Sequence, residues 1–513
     1  MFSKVYTVGI AGVKSCEISI ESDVSDGLPG WCLVGYLSSE VREAQDRVRT
    51  ALRNCGFYLP AKKITINLSP ADIRKEGTAF DLPMAVSVLS AGGLLSCTDL
   101  DQCCFSGELG LNGEIKPVRG ALLIAQKARE SGKRFCFLPI QNRKEGLAAG
   151  GIGIVGVSHL KEAVSYLRGE KALPEKMDLP CKEEYPVFYD VDFSEVKGQL
   201  LLRRAAEIAA AGMHNLLLIG PPGTGKTMIA RRIPTIMPTL SMKENIEISV
   251  VYSISGLLPE GRPLLSKRPF RSPHHTISTQ ALTGGGRIPK PGEISLASRG
   301  VLFLDELPEF SRTAIEALRQ PLEERRIVIS RIYGSYEFPA NGMFVAAMNP
   351  CPCGFYPQSQ CTCSELQVRK YLNKISKPLL DRIDISVEAA PVAYEEMYRG
   401  KEGESSACMR GRVERASTIQ EKRFRGTDIY FNSQMKGTLI KEHCRLGTEE
   451  ERYLERVFQS QKLSARGYEK ILKVSRTIAD LEESPDIRTR HLAEASGYCG
   501  LMEKYWGGAI GRD

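Results

Sequence analysis

Residues 215 to 227, NLLLIGPPGTGKT, carry the densest chemistry of this 513-residue chain. They fit the spacing G-x-x-x-x-G-K-[ST], and the turn is built from Gly220, Pro221, Pro222, Gly223, Thr224, Gly225, Lys226 and Thr227. Glycines in such a turn let successive backbone N–H groups face one point, at which the following helix also aims its positive end. Phosphate oxygens satisfy both. At this spacing Lys226 reaches the β- and γ-phosphates of a nucleotide, while the Thr227 hydroxyl is placed for a magnesium ion. The apolar strand LLLI leading into the turn separates the motif from a glycine-rich loop that fits by chance.

A magnesium nucleotide also needs carboxylates, which a strand beside the phosphate loop delivers from its C-terminal end. VLFLDE (301 to 306) fits that description, with Asp305 as the magnesium partner and Glu306 as the group that polarises the attacking water. A further apolar strand, MFVAAMNP (343 to 350), ends in Asn349, whose amide can orient water against the γ-phosphate; a strand-ending turn asparagine fits the following proline equally well.

The elements that position these residues follow from length and pattern. At 513 residues the chain exceeds a single hydrophobic core. Residues 1 to 168 alternate strand-like runs, such as TINL (65 to 68) and FCFL (135 to 138), with helical ones, where Val41, Ala44, Val48, Ala51 and Leu52 share one face. Residues 169 to 190 hold prolines and charges and read as a linker. Residues 191 to 394 contain the nucleotide motifs, and 395 to 513 form a charged helical region. The N-terminus lacks an apolar signal core, and no run approaches the roughly 18 apolar residues of a membrane span. The expectation is a cytoplasmic protein without a membrane partner. Its fifteen cysteines then stay reduced, and the net charge of +8 permits a nucleic-acid partner without requiring one.

Two segments of the first domain, KEGTAFDLPMA (75 to 85) and GELGLNGEIKPVRGALLIAQKA (107 to 128), resemble the active-site segments of Lon-type proteases. Ala79 stands where that resemblance calls for the nucleophilic serine, and Leu122 where it calls for the partner lysine. Covalent catalysis has no starting point there, and Thr78 and Lys75 substitute only if a base is positioned for them. The expectation is a degenerate fold, kept without its chemistry.

The remaining motifs resemble AAA+ ATPases. DFSEVKGQ (192 to 199) is similar to the element that packs on adenine in those proteins, and Asn349 corresponds to their first sensor residue. In PLLDRID (378 to 384), Arg382 corresponds to the arginine that chelatase-like and MCM-like members extend into the neighbouring subunit's site, although Asp381 and Asp384 also offer it a local ion pair. Arg466 opens the helical stretch LSARGYEKILKVSRTIADLE (463 to 482), where a lid arginine would touch the γ-phosphate. ALTGGGRIPKPGEISLA (281 to 297) and RRIVISRIYGSYEF (325 to 338) match in position the helix-2 insert and the pre-sensor hairpin of one AAA+ branch, which line a central pore. Arg287, Lys290 and Arg331 would there meet phosphates, or else simply be solvated. The basic stretch 410 to 425 reads as a DNA-facing helix or a solvated surface.

Cys351, Cys353, Cys361 and Cys363 form two C-x-C pairs on one short loop, a set that closes a tetrahedron around zinc or packs as four small apolar side chains. His274 and His275 have no cysteine or carboxylate at ligand spacing and read as a structural pair.

Together GPPGTGKT, RSPHHTIS, PGEISLASRGVLFLDELPEF, LRQPLE, AAMNPCPCG and PLLDRID resemble the YifB/ComM type of the Mg-chelatase-like AAA+ family across nearly the whole chain. The resemblance implies an α/β architecture: a degenerate Lon-protease-like N-terminal domain, a P-loop AAA+ parallel-sheet core and a C-terminal helical lid. It also implies ATP and Mg²⁺ as cofactors, a homo-oligomeric ring, expected as a hexamer, and DNA as the transported polymer, as in branch migration, with recombination proteins as further partners. The motor subunit of a metal chelatase and a nucleotide-assembled scaffold remain the alternatives.

Overall fold

The computed structural model describes residues 1–175, 188–259, 262–332, 334–391, 394 and 403–506. Most of the expected linker, residues 176–187, lies outside them, as does the start of the expected helical region, 395–402. The chain forms two compact units, one of Met1–Pro186, Met242–Ser266 and Val328–Phe338, the other of Val187–Ser241, Lys267–Ile327 and Pro339–Asp513.

In the first unit, alternation of apolar residues drives a long hairpin. Phe2–Ala11 pairs antiparallel with Lys14–Ser25, burying Val5, Ile18 and Ile20. The sheet extends to seven strands in the order Gly30–Val34, Lys63–Ser69, Lys14–Ser25, Phe2–Ala11, Cys103–Phe105, Phe135–Pro139, Gly153–Val157. Helix Ser39–Asn54 buries Val41, Ala44, Val48, Ala51 and Leu52, the face its spacing predicts.

Two segments that the sequence reading places in the ATPase core fold with this unit. Helix Met242–Ser255 packs Ile246, Val250 and Ile254 on the cluster containing Leu122 and Ile124. Hairpin residue Glu337 accepts a hydrogen bond from the Val13 amide at 3.4 Å and pairs its carboxylate with Lys14 Nζ at 2.8 Å. The physical reason is burial: these segments carry apolar and charged side chains whose partners lie on the N-terminal sheet and its helices.

The second unit is built on five parallel strands in the order Phe270–Arg271, Val301–Leu304, Met343–Met348, Leu216–Ile219, Ile385–Glu388. Continuous apolar runs such as LLLI, VLFL and MFVAAM are buried along their whole length, as expected for a sheet covered on both faces. Leu200–Gly212 and Lys226–Ile236 lie in its core cluster together with residues of the C-terminal helices Ser406–Arg423, Thr448–Ser460, Ala465–Leu481 and Thr489–Trp506. No described helix is long and apolar enough to cross a membrane.

Candidate active site

Strand register brings the site residues together. Ile219 stands opposite Met348 in the parallel pair, so Gly220 and Asn349 leave the sheet side by side. The amine of Lys226, a residue 8% exposed, donates to the carbonyls of Gly220 at 2.7 Å and Pro221 at 2.8 Å and to Asn349 Oδ1 at 3.2 Å. Burial pushes its pKa down from the usual lysine value, and the nearby carboxylates of Asp305 and Glu306 oppose that shift. Gly223 and Gly225 adopt φ of 79° and 84°, which only glycine takes without strain. Gly220 serves differently: a Cβ there would fall 2.5 Å from the Ala389 carbonyl oxygen, so close strand packing requires it. Gln199 of the VKGQ element donates to the Thr224 carbonyl at 3.1 Å and the Ala390 carbonyl at 2.6 Å, tying the loop to the sheet.

Thr227 Oγ1 donates to Asp305 Oδ2 at 2.6 Å. Two oxygens each about 2.1 Å from one octahedral Mg²⁺ lie about 3 Å apart, so this pair fits adjacent ligand positions on that ion. Glu306, the next residue, has φ of 52°, a strained value for a non-glycine residue, and its side chain is 61% exposed. It points where a water can reach it.

His275 completes this corner, a position the sequence reading missed. Arg271 stands opposite Leu302 in the parallel pair, and both chains run four residues further, to His275 and Glu306. The imidazole Nδ1 lies 3.8 Å from the Glu306 carboxylate, with the ring centroid 4.1 Å from that of His274 at a tilt of 35° and edge-on to Phe310 at 6.4 Å. The residue spacing along the chain hides this contact; the strand register would have exposed it.

Arg382 and Arg466 meet at one carboxylate. Arg382 donates to Glu323 and, at 2.5 Å, to the Pro378 carbonyl. Arg466 stands 3.8 Å from the other Glu323 oxygen and 4.0 Å from Asp381. Asp384 is engaged elsewhere, accepting from the Asn215 amide at 3.1 Å. Among the described residues, neither arginine has an ion pair or hydrogen bond with the phosphate loop.

The four cysteines also converge, with all four sulfurs within 4.8 Å of one another. Cys351 lies 3.3 Å from Cys353 and 3.7 Å from Cys361, and Cys353 lies 3.6 Å from Cys361. Tetrahedral zinc with Zn–S near 2.3 Å spaces its sulfurs about 3.8 Å apart, so the donor set fits that ion. The loop abuts the phosphate loop: a Cβ on Gly354 would meet Pro222 Cδ at 2.6 Å.

Lys290 and Arg287 are exposed on the short hairpin formed by Gly284–Gly285 and Lys290–Pro291, and Arg331 is exposed at the end of Arg326–Arg331. The basic stretch 410 to 425 is largely engaged within its own unit: Arg412 binds Glu207 at 2.6 Å, Arg415 binds Glu483 at 2.7 Å, and Arg423 binds Asp480 at 2.6 Å. In the N-terminal unit Thr78 donates to Glu108, whereas buried Lys75 donates to the Pro70 carbonyl. Their hydrogen bonds diverge, and Leu122 is fully buried in the core.

Three family profiles match the chain: magnesium chelatase, subunit ChlI, over residues 192–397; subunit ChlI of Mg-chelatase over 20–142; and magnesium chelatase, subunit ChlI C-terminal, over 403–499. Competence protein ComM of Haemophilus influenzae is 43% identical over 507 residues, 97% of each chain. The uncharacterized protein YifB of Escherichia coli is 42% identical over 499 residues, covering 97% of this chain and 96% of its own. The chain belongs to the YifB/ComM family of Mg-chelatase-like AAA+ proteins. The magnesium-chelatase 38 kDa subunit of Rhodobacter capsulatus, in contrast, is 24% identical over 221 residues, 40% of this chain and 56% of that subunit. YifB/ComM membership implies a nucleotide-binding ATPase of this motor superfamily, and the profile over 192–397 spans Lys226, Thr227, Asp305, Glu306, Asn349 and Arg382.

Proposed function

We propose that the chain is a Mg²⁺-dependent ATPase subunit of a homo-oligomeric, hexameric ring that remodels DNA. The observation that carries the ATPase part is the convergence of Lys226, Thr227, Asp305 and Asn349 beyond the C-terminal ends of three adjacent strands, with Lys226 Nζ 3.2 Å from Asn349 Oδ1 and Thr227 Oγ1 2.6 Å from Asp305 Oδ2. Lys226 exchanges its loop carbonyls for phosphate oxygens, and Thr227 and Asp305 hold the metal, which when bound neutralises charge on those phosphates. Asn349 orients the attacking water and Glu306 polarises it, with His275 holding the carboxylate in place. Arg382 and Arg466, grouped around Glu323, serve the site of the neighbouring subunit, where positive charge stabilises the transferring phosphoryl group. A zinc ion on Cys351, Cys353, Cys361 and Cys363 fixes the loop beside Pro222.

DNA is supported by the near full-length likeness to a competence protein and by exposed Arg287, Lys290 and Arg331 on hairpins matching pore insertions. Phosphate contacts made this way are indifferent to base sequence and release counterions. The test is ATP turnover with forked, single-stranded and duplex DNA across a salt series. Stimulation strongest with forked DNA is expected, and loss of one phosphate-contacting charge should lower the logarithmic salt slope by about one. No stimulation by any DNA, with binding insensitive to salt, sinks the DNA reading.

A further inference from the structure

Gly30–Val34 is an edge strand: it pairs with Lys63–Ser69 on one side and with no described strand on the other. In front of it the outer face of Ser39–Asn54 and the loop after it enclose a cleft of about 640 Å³, within the size range of ligand sites. Half-buried Trp31 and Phe57 form an aromatic floor, and Arg49, Arg53, Tyr58 and Lys62 form the rim. Asp46 is the acidic residue among those lining it.

Three features of the cleft go beyond what folding needs. Arg49 and Arg53 are four residues apart on one helix face, a like-charge spacing that weakens a helix. Among the described residues, neither side chain has a hydrogen-bond or ion-pair partner. Tyr58 is 76% exposed directly beside them, although an aromatic ring gains by burial. Lys62 is differently placed, paired with Asp26 at 2.9 Å. Unpaired guanidinium groups beside an exposed ring and an aromatic floor match one ligand chemistry, a phosphate backbone whose bases are free to stack. An acidic peptide would use the arginines and leave the rings idle, and a duplex keeps its base faces covered.

We infer that this cleft binds single-stranded nucleic acid, its phosphates on Arg49 and Arg53 and its bases on Tyr58 and Trp31. The site goes beyond the ATP-driven reading and does not depend on it.

Trp31 and Trp506 are the chain's two tryptophans, so the full-length Trp506→Phe protein reports on Trp31 alone. Oligothymidylate and oligouridylate are expected to quench its emission on stacking, and tighter binding of one of them identifies DNA or RNA as the source. Arg49→Glu with Arg53→Glu should weaken binding at least about tenfold and flatten the logarithmic salt slope by about 1.4, roughly 0.7 for each charge on a single strand. Arg49→Lys with Arg53→Lys keeps the charge and should retain most of the affinity. Tyr58→Ala, an exposed position, should cost roughly 5- to 150-fold. Unchanged Trp31 emission with both oligonucleotides overturns the inference. Equal quenching by polyglutamate also overturns it, in favour of an acidic protein partner. If oligothymidylate raises ATP turnover without touching Trp31, the cleft fails and the motor reading stands; quenching without any effect on turnover is the reverse.

Discussion

The imidazole Nδ1 of His275 stands 3.8 Å from Oε2 of Glu306, across a gap of 31 residues in the chain that the parallel strand pair closes. Glu306→Gln is expected to bind ATP normally and lose turnover by about 10²-fold or more, because an amide cannot polarise water as a carboxylate does. His275→Ala should lower kcat on the order of tenfold by loosening Glu306, with KM for ATP unchanged and partial rescue in His275→Asn. Steady-state kinetics decide the matter. Wild-type kcat in His275→Ala would reduce the contact to packing against Phe310.

Arg382 and Arg466 share Glu323, so both are expected to work from the same face of the subunit. The Arg382 guanidinium beside Glu323 holds that carboxyl below its usual range, which marks the ion pair as formed near neutral pH. Arg382→Ala should assemble and lose about 10³-fold or more in turnover. Mixing it with Lys226→Ala subunits should restore part of the activity, since some interfaces then join an intact phosphate loop to an intact arginine. The same mixing experiment with Arg466→Ala tests the second arginine. A mixture with Arg466→Ala as inactive as its components would return that residue to its own subunit's nucleotide.

Zinc is expected at about one equivalent per chain in protein purified without chelator, because four thiolates spaced for a tetrahedron leave no position open for a substrate. Elemental analysis checks this. Since the loop touches Pro222, Cys361→Ser should lower nucleotide affinity as well as zinc content. Less than about half an equivalent would favour cysteines packed as apolar residues.

The candidate nucleotide site was legible as a gathering of residues because its parts sit at strand ends: LLLI before the glycines, VLFL before Asp305 and MFVAAM before Asn349 each announce where a side chain leaves the sheet. Local pattern also gave the buried face of Ser39–Asn54. What it could not give was pairing between distant segments. The approach of His275 to Glu306 depends on register, and the gathering of Arg382 and Arg466 at Glu323 depends on how helices pack. Glycine spacing likewise announced the loop but not the separate duty of Gly220, which answers to the carbonyl of Ala389. The basic stretch 410 to 425 reads as a DNA-facing helix or a solvated surface, and neither reading anticipates the ion pairs of Arg412, Arg415 and Arg423 with Glu207, Glu483 and Asp480, which come from segments far along the chain.

The chain passes between its two units at 186/187, 241/242, 266/267, 327/328 and 338/339. The front domain is therefore not a detachable cassette, although its first 168 residues are contiguous. Cutting the gene at that point would leave Met242–Ser255 in the remaining protein with Ile246, Val250 and Ile254 stripped of Leu122 and Ile124, and Glu337 stripped of Lys14. An apolar helix face uncovered in this way is an aggregation hazard. A minimal ATPase made from this chain must also shorten both insertions, and insolubility of a simple truncation would say nothing about whether the front domain takes part in catalysis.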